Sequence, residues 1–170
     1  IYQTKDYSDL EGELGGLCQT KNTNTLLSAI RVLQECGYNI KESHVREGFS
    51  RVCELTGLMG RWQHLGEEPR IVCDAGHNIG GIKYIVSQLK REKYAKLRIV
   101  FGMVGDKDIE AVLAMMPTDA VYYFTQASVA RAMPVGDFAE IAREFGLEGK
   151  SYDNVMQAYS EASRNATAED

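Results

Sequence analysis

The stretch RIVCDAGHNIGGIKYIVSQL, residues 70–89, decides the fold class of this 170-residue chain. Its first four residues form a short apolar run after a proline, which is typical of a buried β-strand. A five-residue turn follows, and a helical pattern begins after it. The apolar side chains of that pattern recur at helical spacing: Ile79, Ile82, Ile85, Val86 and Leu89. A strand followed closely by a helix is the repeating unit of an α/β fold.

The same alternation continues toward the end of the sequence. Apolar runs predict two further strands, at residues 97–103 and 120–125. The predicted helices cover three stretches: residues 108–116, 137–145 and 153–164. Alternation of this kind produces right-handed crossovers and a mostly parallel sheet with flanking helices. We therefore predict such a sheet, with residues 70–73 as its first strand and no strand between the last two helices.

The residues before this region predict a short helical segment. Residues 1–20 are polar and rich in glycine, and we expect an extended entry there. A first helix should begin at Asn22 or Thr23 and end at Gly37. Its apolar stripe consists of Leu26, Leu27, Ala29, Ile30 and Leu33. A second helix is expected over residues 43–56, where Gly57 ends it.

The composition is that of an ordinary globular protein. The chain has 19 basic and 24 acidic residues, a net charge of −5, and 44% hydrophobic residues. This mild acidity argues against a nucleic-acid partner, and no apolar run approaches the ~18 residues of a membrane helix. The cysteines form no Cys-x-x-Cys pair, so we expect reduced thiols in a cytoplasmic protein. The first residue is Ile rather than Met, so we expect that either a preceding segment was removed or the chain is a piece of a longer protein.

The turn at residues 74–78 is the first candidate site, because ligands of α/β sheets bind at the carboxyl ends of strands. Asp74 can accept hydrogen bonds from ribose hydroxyls, and His77 can bind a phosphate or carboxylate or move a proton. The start of the following helix favours an anion there. Asp74 and Asn78 are equally good capping and turn residues, so a structural role stays open.

Two further stretches carry residues with the same ambiguity. Lys107, after the second predicted strand, can bind a carboxylate, while Asp108 can simply cap the next helix. Arg61 can reach a phosphate in bidentate fashion, or it can be a surface residue beside Trp62, the only tryptophan, acting as a packing anchor. The sequence has no P-loop and no cluster at zinc-ligand spacing, so no metal ligand is predicted.

Taken together, these segments resemble the folylpolyglutamate synthase/dihydrofolate synthase family of the Mur ligase superfamily. LCQTKN, residues 17–22, is similar to the His-Gln-x-x-Asn segment that ends the family's central ATPase domain, with Cys18 in place of the histidine. GRW at 60–62 resembles the Gly-Arg that opens the carboxyl-terminal domain. DAGHN at 74–78 resembles the Asp-x-x-His-Asn motif, and DKD at 106–108 resembles the Asp-Lys-Asp that follows a strand. RAMP at 131–134 is a less specific match.

This resemblance implies an ATP- and Mg²⁺-dependent ligase that adds L-glutamate to folate or dihydropteroate through an acyl phosphate. Residues 1–58 would be the tail of the central ATPase domain. Residues 59–170 would be a Rossmann-like carboxyl-terminal ligase domain lacking its last strand. The family's P-loop, magnesium ligands and folate pocket lie in upstream parts. We therefore expect the isolated chain to be inactive and to depend on the rest of the same polypeptide.

The resemblance also implies a role for each matching residue. Asn22 would contact adenine, Arg61 would act catalytically at the ATP phosphates, and Asp74 would bind the ribose. His77 would help to hold the incoming glutamate or the phosphate, as a catalytic and glutamate-binding residue. Lys107 would bind a glutamate carboxylate. The alternatives are another Mur-type amino-acid ligase, a noncatalytic Rossmann-like nucleotide-binding module, and a cytosolic scaffold domain.

Overall fold

The computed structural model describes residues 1–105 and 108–170. These residues form two compact units. The first contains residues 1–63 and 73–75, and the second contains residues 64–72 and 76–170. Lys107, a predicted site residue, lies outside the described residues.

The first unit is built on three helices: α1 (Gln19–Glu35), α2 (Glu42–Ser50) and α3 (Val52–Thr56). Its core contains the buried side chains of Leu10, Leu27 and Val45. The predicted ends of the helices are confirmed, because Gly37 and Gly57 have φ angles of +92° and +70° and lie just after α1 and α3. Such angles suit glycine, which has no side chain to clash.

Two helical predictions for this unit are wrong in detail. α1 begins at Gln19, so Asn22 lies inside the helix and does not cap it. The backbone N–H of Gln19 already donates to Gly16 O at 3.1 Å, which starts the helix one turn early. The second predicted helix is divided at Arg51, where the backbone leaves helical geometry (φ −132°, ψ 28°). Leu26 is half exposed, and it lines a cavity of about 270 Å³ with Ile30 and Phe49.

The remaining elements alternate strands and helices along the chain. The described residues contain five strands: β1 (Gln63–Glu67), β2 (Arg70–Cys73), β3 (Arg98–Phe101), β4 (Val121–Phe124) and β5 (Gly149–Ser151). The four helices are α4 (Ile79–Leu89), α5 (Ile109–Leu113), α6 (Val135–Glu144) and α7 (Val155–Asn165). Among the described residues, no helix has the length and apolarity needed to cross a membrane.

The described strands form two sheets. β3, β4 and β5 are parallel in that order, with Arg98 beside Val121 and Tyr122 beside Gly149. β2 pairs with β1 in a separate two-stranded sheet. The prediction that residues 70–73 are the first strand of the parallel sheet is therefore wrong. The two residues between β1 and β2 are enough for a hairpin, and such a local pairing forms easily.

The parallel sheet has helices on both faces, as the alternation predicts. Tyr122 and Phe124 point to one face, and Phe124 packs edge-on against Phe138 of α6. Tyr123 points to the other face, where it packs with Ala158 of α7. The fold class is thus confirmed: an α/β domain with a parallel sheet and flanking helices, preceded by a helical segment.

Candidate functional site

Arg61 and Asp74 lie in one hydrogen-bonded cluster of the first unit. The Asp74 carboxylate Oδ2 accepts from the backbone N–H of Trp62 at 2.8 Å. The backbone N–H of Ala75 donates to Gly60 O at 2.9 Å. These two bonds hold the backbone on both sides of Arg61 against the residues that follow β2. The structure therefore brings together two candidate residues that lie 13 positions apart in sequence.

The conformation of this turn explains its residue types. Gly60 has a φ angle of +69°, and a side chain there would press against Ala75 with a Cβ contact of 3.2 Å. Trp62 also has a positive φ angle, of +50°, yet only 7% of its surface is exposed. Trp62 is thus buried, as expected for the packing anchor that the sequence analysis gives as one alternative. Arg61 between them is exposed, which is the exposure a phosphate-binding guanidinium needs.

His77 and Asn78 lie in the second unit, at the start of α4. The Asn78 side chain accepts from the backbone N–H of Gly81 at 2.9 Å, so Asn78 caps the helix. His77 immediately precedes this cap, and its side chain is exposed. A side chain at Gly81 would lie 3.4 Å from Gly76 Cα, so the glycine lets the turn pack closely on the helix. The capping role proposed for Asn78 is confirmed, and His77 lies beside the positive end of a helix dipole.

Asn22 lies on the first turns of α1 in the first unit. Its side-chain Nδ2 donates to Gln19 Oε1 at 3.1 Å. Gln19 is only 5% exposed, and its Nε2 approaches Cys18 Sγ at 3.6 Å. Gln19 therefore orients the Asn22 side chain, and the sequence analysis assigns it no role. The spacing of Gln19 and Asn22 could have predicted this contact, since residues three apart on a helix lie on the same face.

The loops that follow β3 and β4 are joined by backbone hydrogen bonds in the second unit. Gly105 N–H donates to Arg131 O, and Met133 N–H donates to Met103 O, both at 3.0 Å. Asp108 caps α5 by accepting from Ala111 N–H at 3.1 Å, as its alternative role predicts. These bonds join residues 103–105 to residues 131–133 at the carboxyl edge of the parallel sheet, where ligands of α/β folds bind.

No group of three His, Cys, Asp or Glu side chains among residues 1–105 and 108–170 is placed to hold a metal ion. The described residues therefore do not fit a resident Mg²⁺. We assign no step of a reaction to that ion.

Comparisons with known proteins place this geometry in a family. The family model described as "Mur ligase, glutamate ligase domain" matches residues 60–170. The chain is 31% identical to dihydrofolate synthase/folylpolyglutamate synthase of Escherichia coli K12 over 169 residues. That alignment covers 96% of this chain and 38% of the E. coli protein.

Solved structures give the same result. Mycobacterium tuberculosis folylpolyglutamate synthase complexed with ADP is 26% identical, with a TM-score of 0.78 over 93% of this chain and 35% of that one. E. coli FolC in complex with DHPP and ADP is 29% identical, with a TM-score of 0.67 over 84% of this chain and 33% of that one. A bifunctional folylpolyglutamate synthase/dihydrofolate synthase with Mn, AMPPNP and L-glutamate bound is 26% identical, with a TM-score of 0.66, and the aligned part covers 84% and 33% of the two chains. The chain thus spans a little over a third of the length of the curated relative and about a third of these structures.

Proposed function

Because the chain belongs to the Mur ligase family through its glutamate ligase domain, residues 60–170, we propose that it is part of an ATP-dependent ligase joining L-glutamate to folate or dihydropteroate. The observation that carries this proposal is the cluster of Arg61 and Asp74, held by the Trp62–Asp74 and Gly60–Ala75 hydrogen bonds. The cluster lies in motifs that resemble the folate branch. The aligned solved relatives bind ADP or AMPPNP, and one of them also binds L-glutamate.

In the proposed reaction, the γ-phosphoryl group of ATP passes to the folate carboxylate. The C–O–P bond of an acyl phosphate forms, and ADP leaves. The glutamate amine then attacks the acyl carbon and an amide bond forms. Phosphate leaves with the C–O bond electrons, and the proton lost from the amine nitrogen makes it hydrogen phosphate. The exposed Arg61 guanidinium is suited to stabilise the charge on the transferring phosphoryl group. Because hydrogen bonds hold the backbone next to Arg61, this segment loses less conformational entropy when a ligand binds.

The other candidate residues take the remaining roles in this proposal. Asp74 binds the ribose, and Asn22, oriented by Gln19, contacts adenine. His77 helps to hold the incoming glutamate or the phosphate, beside the first turn of α4. Lys107 binds a glutamate carboxylate. Each role is assigned by resemblance to the family motif, and the contacts of Asn22 and Asp74 are compatible with it.

We also propose that residues 1–58 continue a central ATPase domain, and that the phosphate cradle and the Mg²⁺ ligands belong to the rest of the same polypeptide. Phosphoryl transfer needs both of these parts. The purified 170-residue chain should therefore release no ADP from ATP when folate and glutamate are present. The complete polypeptide is the positive control, and turnover by the 170-residue chain alone would contradict this division of labour.

The function is tested by glutamate addition in the complete polypeptide. Arg61→Ala should lower kcat/KM about 100-fold, which is the usual loss when one transition-state charge partner is removed. His77→Ala should lower it about tenfold or more, as expected for a lost charge-assisted contact. Both variants should melt within about 2 °C of the wild type, because exposed side chains contribute little to stability.

Two exposed residues outside the motifs serve as matched controls. Arg31→Ala on α1 and His64→Ala on β1 remove the same chemical groups and should leave kcat/KM unchanged. If the wild type adds another amino acid in preference to glutamate, a different Mur-type ligase is indicated. Nucleotide binding without any ligation would indicate a noncatalytic module.

A further inference from the structure

Gln63 closes the turn that carries Arg61. Its side-chain Oε1 accepts from the backbone N–H of Gly60 at 3.0 Å. Gln63 is the first residue of β1, so this bond runs back over the three preceding residues. We call residues 60–63 the Gly60 turn. Among residues 1–105 and 108–170, no other group accepts from the Gly60 N–H.

Gly60 is the residue of this turn with the greatest conformational freedom. Its φ angle is +69°, in the left-handed region that glycine adopts without strain. Glycine adopts other backbone conformations just as readily, so the residue type alone does not fix this angle. The bond to Gln63 fixes the peptide group before Gly60. The direction in which the chain continues toward Arg61 therefore depends on the Gln63 side chain.

Hydrogen bonds connect Gln63 to the Arg61 guanidinium through Gly60. Gly60 O accepts from Arg61 Nη1 at 3.3 Å and from the backbone N–H of Ala75 at 2.9 Å. Gly60 thus has the Gln63 side chain on its N–H and the guanidinium on its carbonyl oxygen. If the first bond is lost and the glycine rotates, the acceptor of the guanidinium moves with it.

The two side chains of the turn differ in exposure. Arg61 is exposed, whereas Gln63 is half-buried and directed at the backbone. A group that stabilises transferring charge must already be in place when the reaction begins, and a displacement of about 1 Å can cost a factor of about 100. The long arginine side chain has many rotamers, so its accuracy depends on the backbone that carries it. Gln63 can supply that accuracy without touching a substrate.

We propose that Gln63 is a positioning residue that acts through Arg61. Its bond to the Gly60 N–H directs the guanidinium toward the phosphoryl group that is transferred. This role rests on the proposed function, which places Arg61 at that group. Gln63 is not among the residues to which the sequence motifs give a role.

The kinetic test uses Gln63 variants of the complete polypeptide. Gln63→Met keeps the length of the side chain but removes the acceptor, and it should lower kcat about tenfold, the usual effect of one lost hydrogen bond. The KM for ATP should stay within about threefold, because an interaction made in the transition state affects kcat rather than KM. Gln63→Glu keeps an acceptor oxygen and should retain kcat within about threefold.

Gln34 provides the matched control. Its side-chain Nε2 donates to Ile40 O at 2.7 Å, so Gln34→Met also removes a bond from a glutamine side chain to the backbone. This variant should keep the kcat of the wild type, because Gln34 has no contact with the Gly60 turn. An equal loss of kcat in Gln34→Met and Gln63→Met would show a general loss of stability and would overturn the inference.

The double variant Gln63→Met/Arg61→Ala tests whether Gln63 acts through Arg61. If it does, the double variant should be no slower than Arg61→Ala, since residues that act as one unit are not additive. A further tenfold loss in the double variant would overturn the inference. So would an unchanged kcat of Gln63→Met in an active wild-type background, which leaves the proposed function intact. A wild type that ligates no glutamate would overturn the proposed function itself.

Two measurements without turnover use the 170-residue chain. The Gly60 amide should exchange hydrogen faster in Gln63→Met than in Gln63→Glu, because only the methionine variant leaves that N–H without its acceptor. Trp62 is the only tryptophan of the chain, so its fluorescence reports whether the Gly60 turn stays packed. Its emission should be the same in both variants and the wild type. A red-shifted emission in Gln63→Met would show that the turn has opened, and Gln63 would then be structural only.

Discussion

The short polar side chains of the candidate motifs hold the backbone, whereas the side chains of Arg61 and His77 are exposed to solvent. Asp74 accepts from Trp62 N–H, and Asn78 accepts from Gly81 N–H. This division follows from side-chain length, because a short carboxylate or amide reaches nearby backbone N–H groups easily. The motif residues therefore combine a structural role with a binding role.

Asp74 allows the two roles to be separated. Asp74→Ala should lower the free energy of unfolding by about 1–2 kcal/mol, because the Trp62 N–H loses a charged acceptor. Asp74→Asn keeps an acceptor oxygen, so it should recover most of that stability. If Asp74 also binds ribose, Asp74→Asn should still weaken ATP binding in the complete polypeptide. Chemical denaturation and nucleotide titration of both variants give the two measurements. Equal stability of the alanine variant and the wild type would show that the bond to Trp62 contributes nothing.

At the residue scale, the sequence predicts the role of a single residue better than it predicts contacts between residues that are distant in sequence. The caps at Asn78 and Asp108 were predictable, since each bond spans only three residues. The bond between Trp62 and Asp74 spans twelve residues and depends on the positive φ angle of Trp62, which no local pattern indicates. The sequence analysis assigns no role to the buried Gln19 because a glutamine in a polar segment is usually exposed.

At the scale of the elements, one strand of the parallel sheet forms by close backbone packing although its sequence has no apolar pattern. The prediction of no strand between the last two helices is wrong. β5 lies there; it consists of Gly149, Lys150 and Ser151 and contains no apolar residue to signal a strand. It forms because Gly149 lies directly beside Tyr122, where any side chain would overlap the Tyr122 carbonyl. β3 and β4 were predictable from their apolar runs. The pairing of β2 with β1 was not, since residues 63–67 carry no alternating pattern.

Gly102, just after β3, also allows two backbone segments to pack closely. A Cβ at this position would overlap the backbone carbonyl of Thr125, and a backbone atom cannot rotate away. Gly102→Ala should therefore lower the free energy of unfolding by about 1–3 kcal/mol, the usual cost of overpacking. The matched control is Gly48→Ala in α2, where a Cβ meets nothing within 4 Å. That variant should be neutral or slightly stabilising, since alanine is the better helix former. Urea unfolding of both variants decides the point, and equal effects would contradict it.

Across the whole second unit, one ion pair joins the beginning of the parallel sheet to the last described residue. Arg98 Nε donates to Asp170 Oδ2 at 2.7 Å, and the two side chains are 18% and 6% exposed. The same arginine donates to the Tyr123 hydroxyl at 3.2 Å. The hydrogen bond from Arg98 lowers the pKa of the Asp170 carboxyl, and bonds from Thr167 lower it further. Folding and protonation of this carboxyl are therefore linked.

The direction of that linkage gives a pH prediction. A carboxyl whose pKa is lowered by folding stabilises the protein above its unfolded pKa of about 4, and this contribution is lost as the pH falls through the folded pKa. Asp170→Asn should therefore lower the melting temperature at pH 7, and the difference from the wild type should shrink below about pH 4. Glu169→Gln, at an exposed side chain, is the matched control and should show no such convergence. A difference that stays constant from pH 7 to pH 3 would contradict the linkage.

The two units differ in the size of the core on which their secondary structure packs. The main cluster of the second unit contains twelve buried hydrophobic residues among those described, including Tyr122, Phe124 and Phe138. The cluster of the first unit contains three, Leu10, Leu27 and Val45. Burial of apolar surface is the dominant stabilising contribution. Local opening should therefore cost less free energy in α1 and α2 than in β3 and β4.

Hydrogen exchange of the 170-residue chain measures this difference directly. Amides of β3 and β4 should be the last to exchange, because each belongs to the parallel ladder and lies on the larger core. Leu27→Ala should cost about 2–5 kcal/mol locally and should accelerate exchange in α1 and α2. Phe138→Ala should cost about 3–5 kcal/mol and should accelerate exchange in β3 and β4. Protection that is equal in all four elements, and that falls equally in both variants, would show a single cooperative opening instead. Slow exchange in β3 and β4 would mean that these two parallel strands are the most stable part of the described chain.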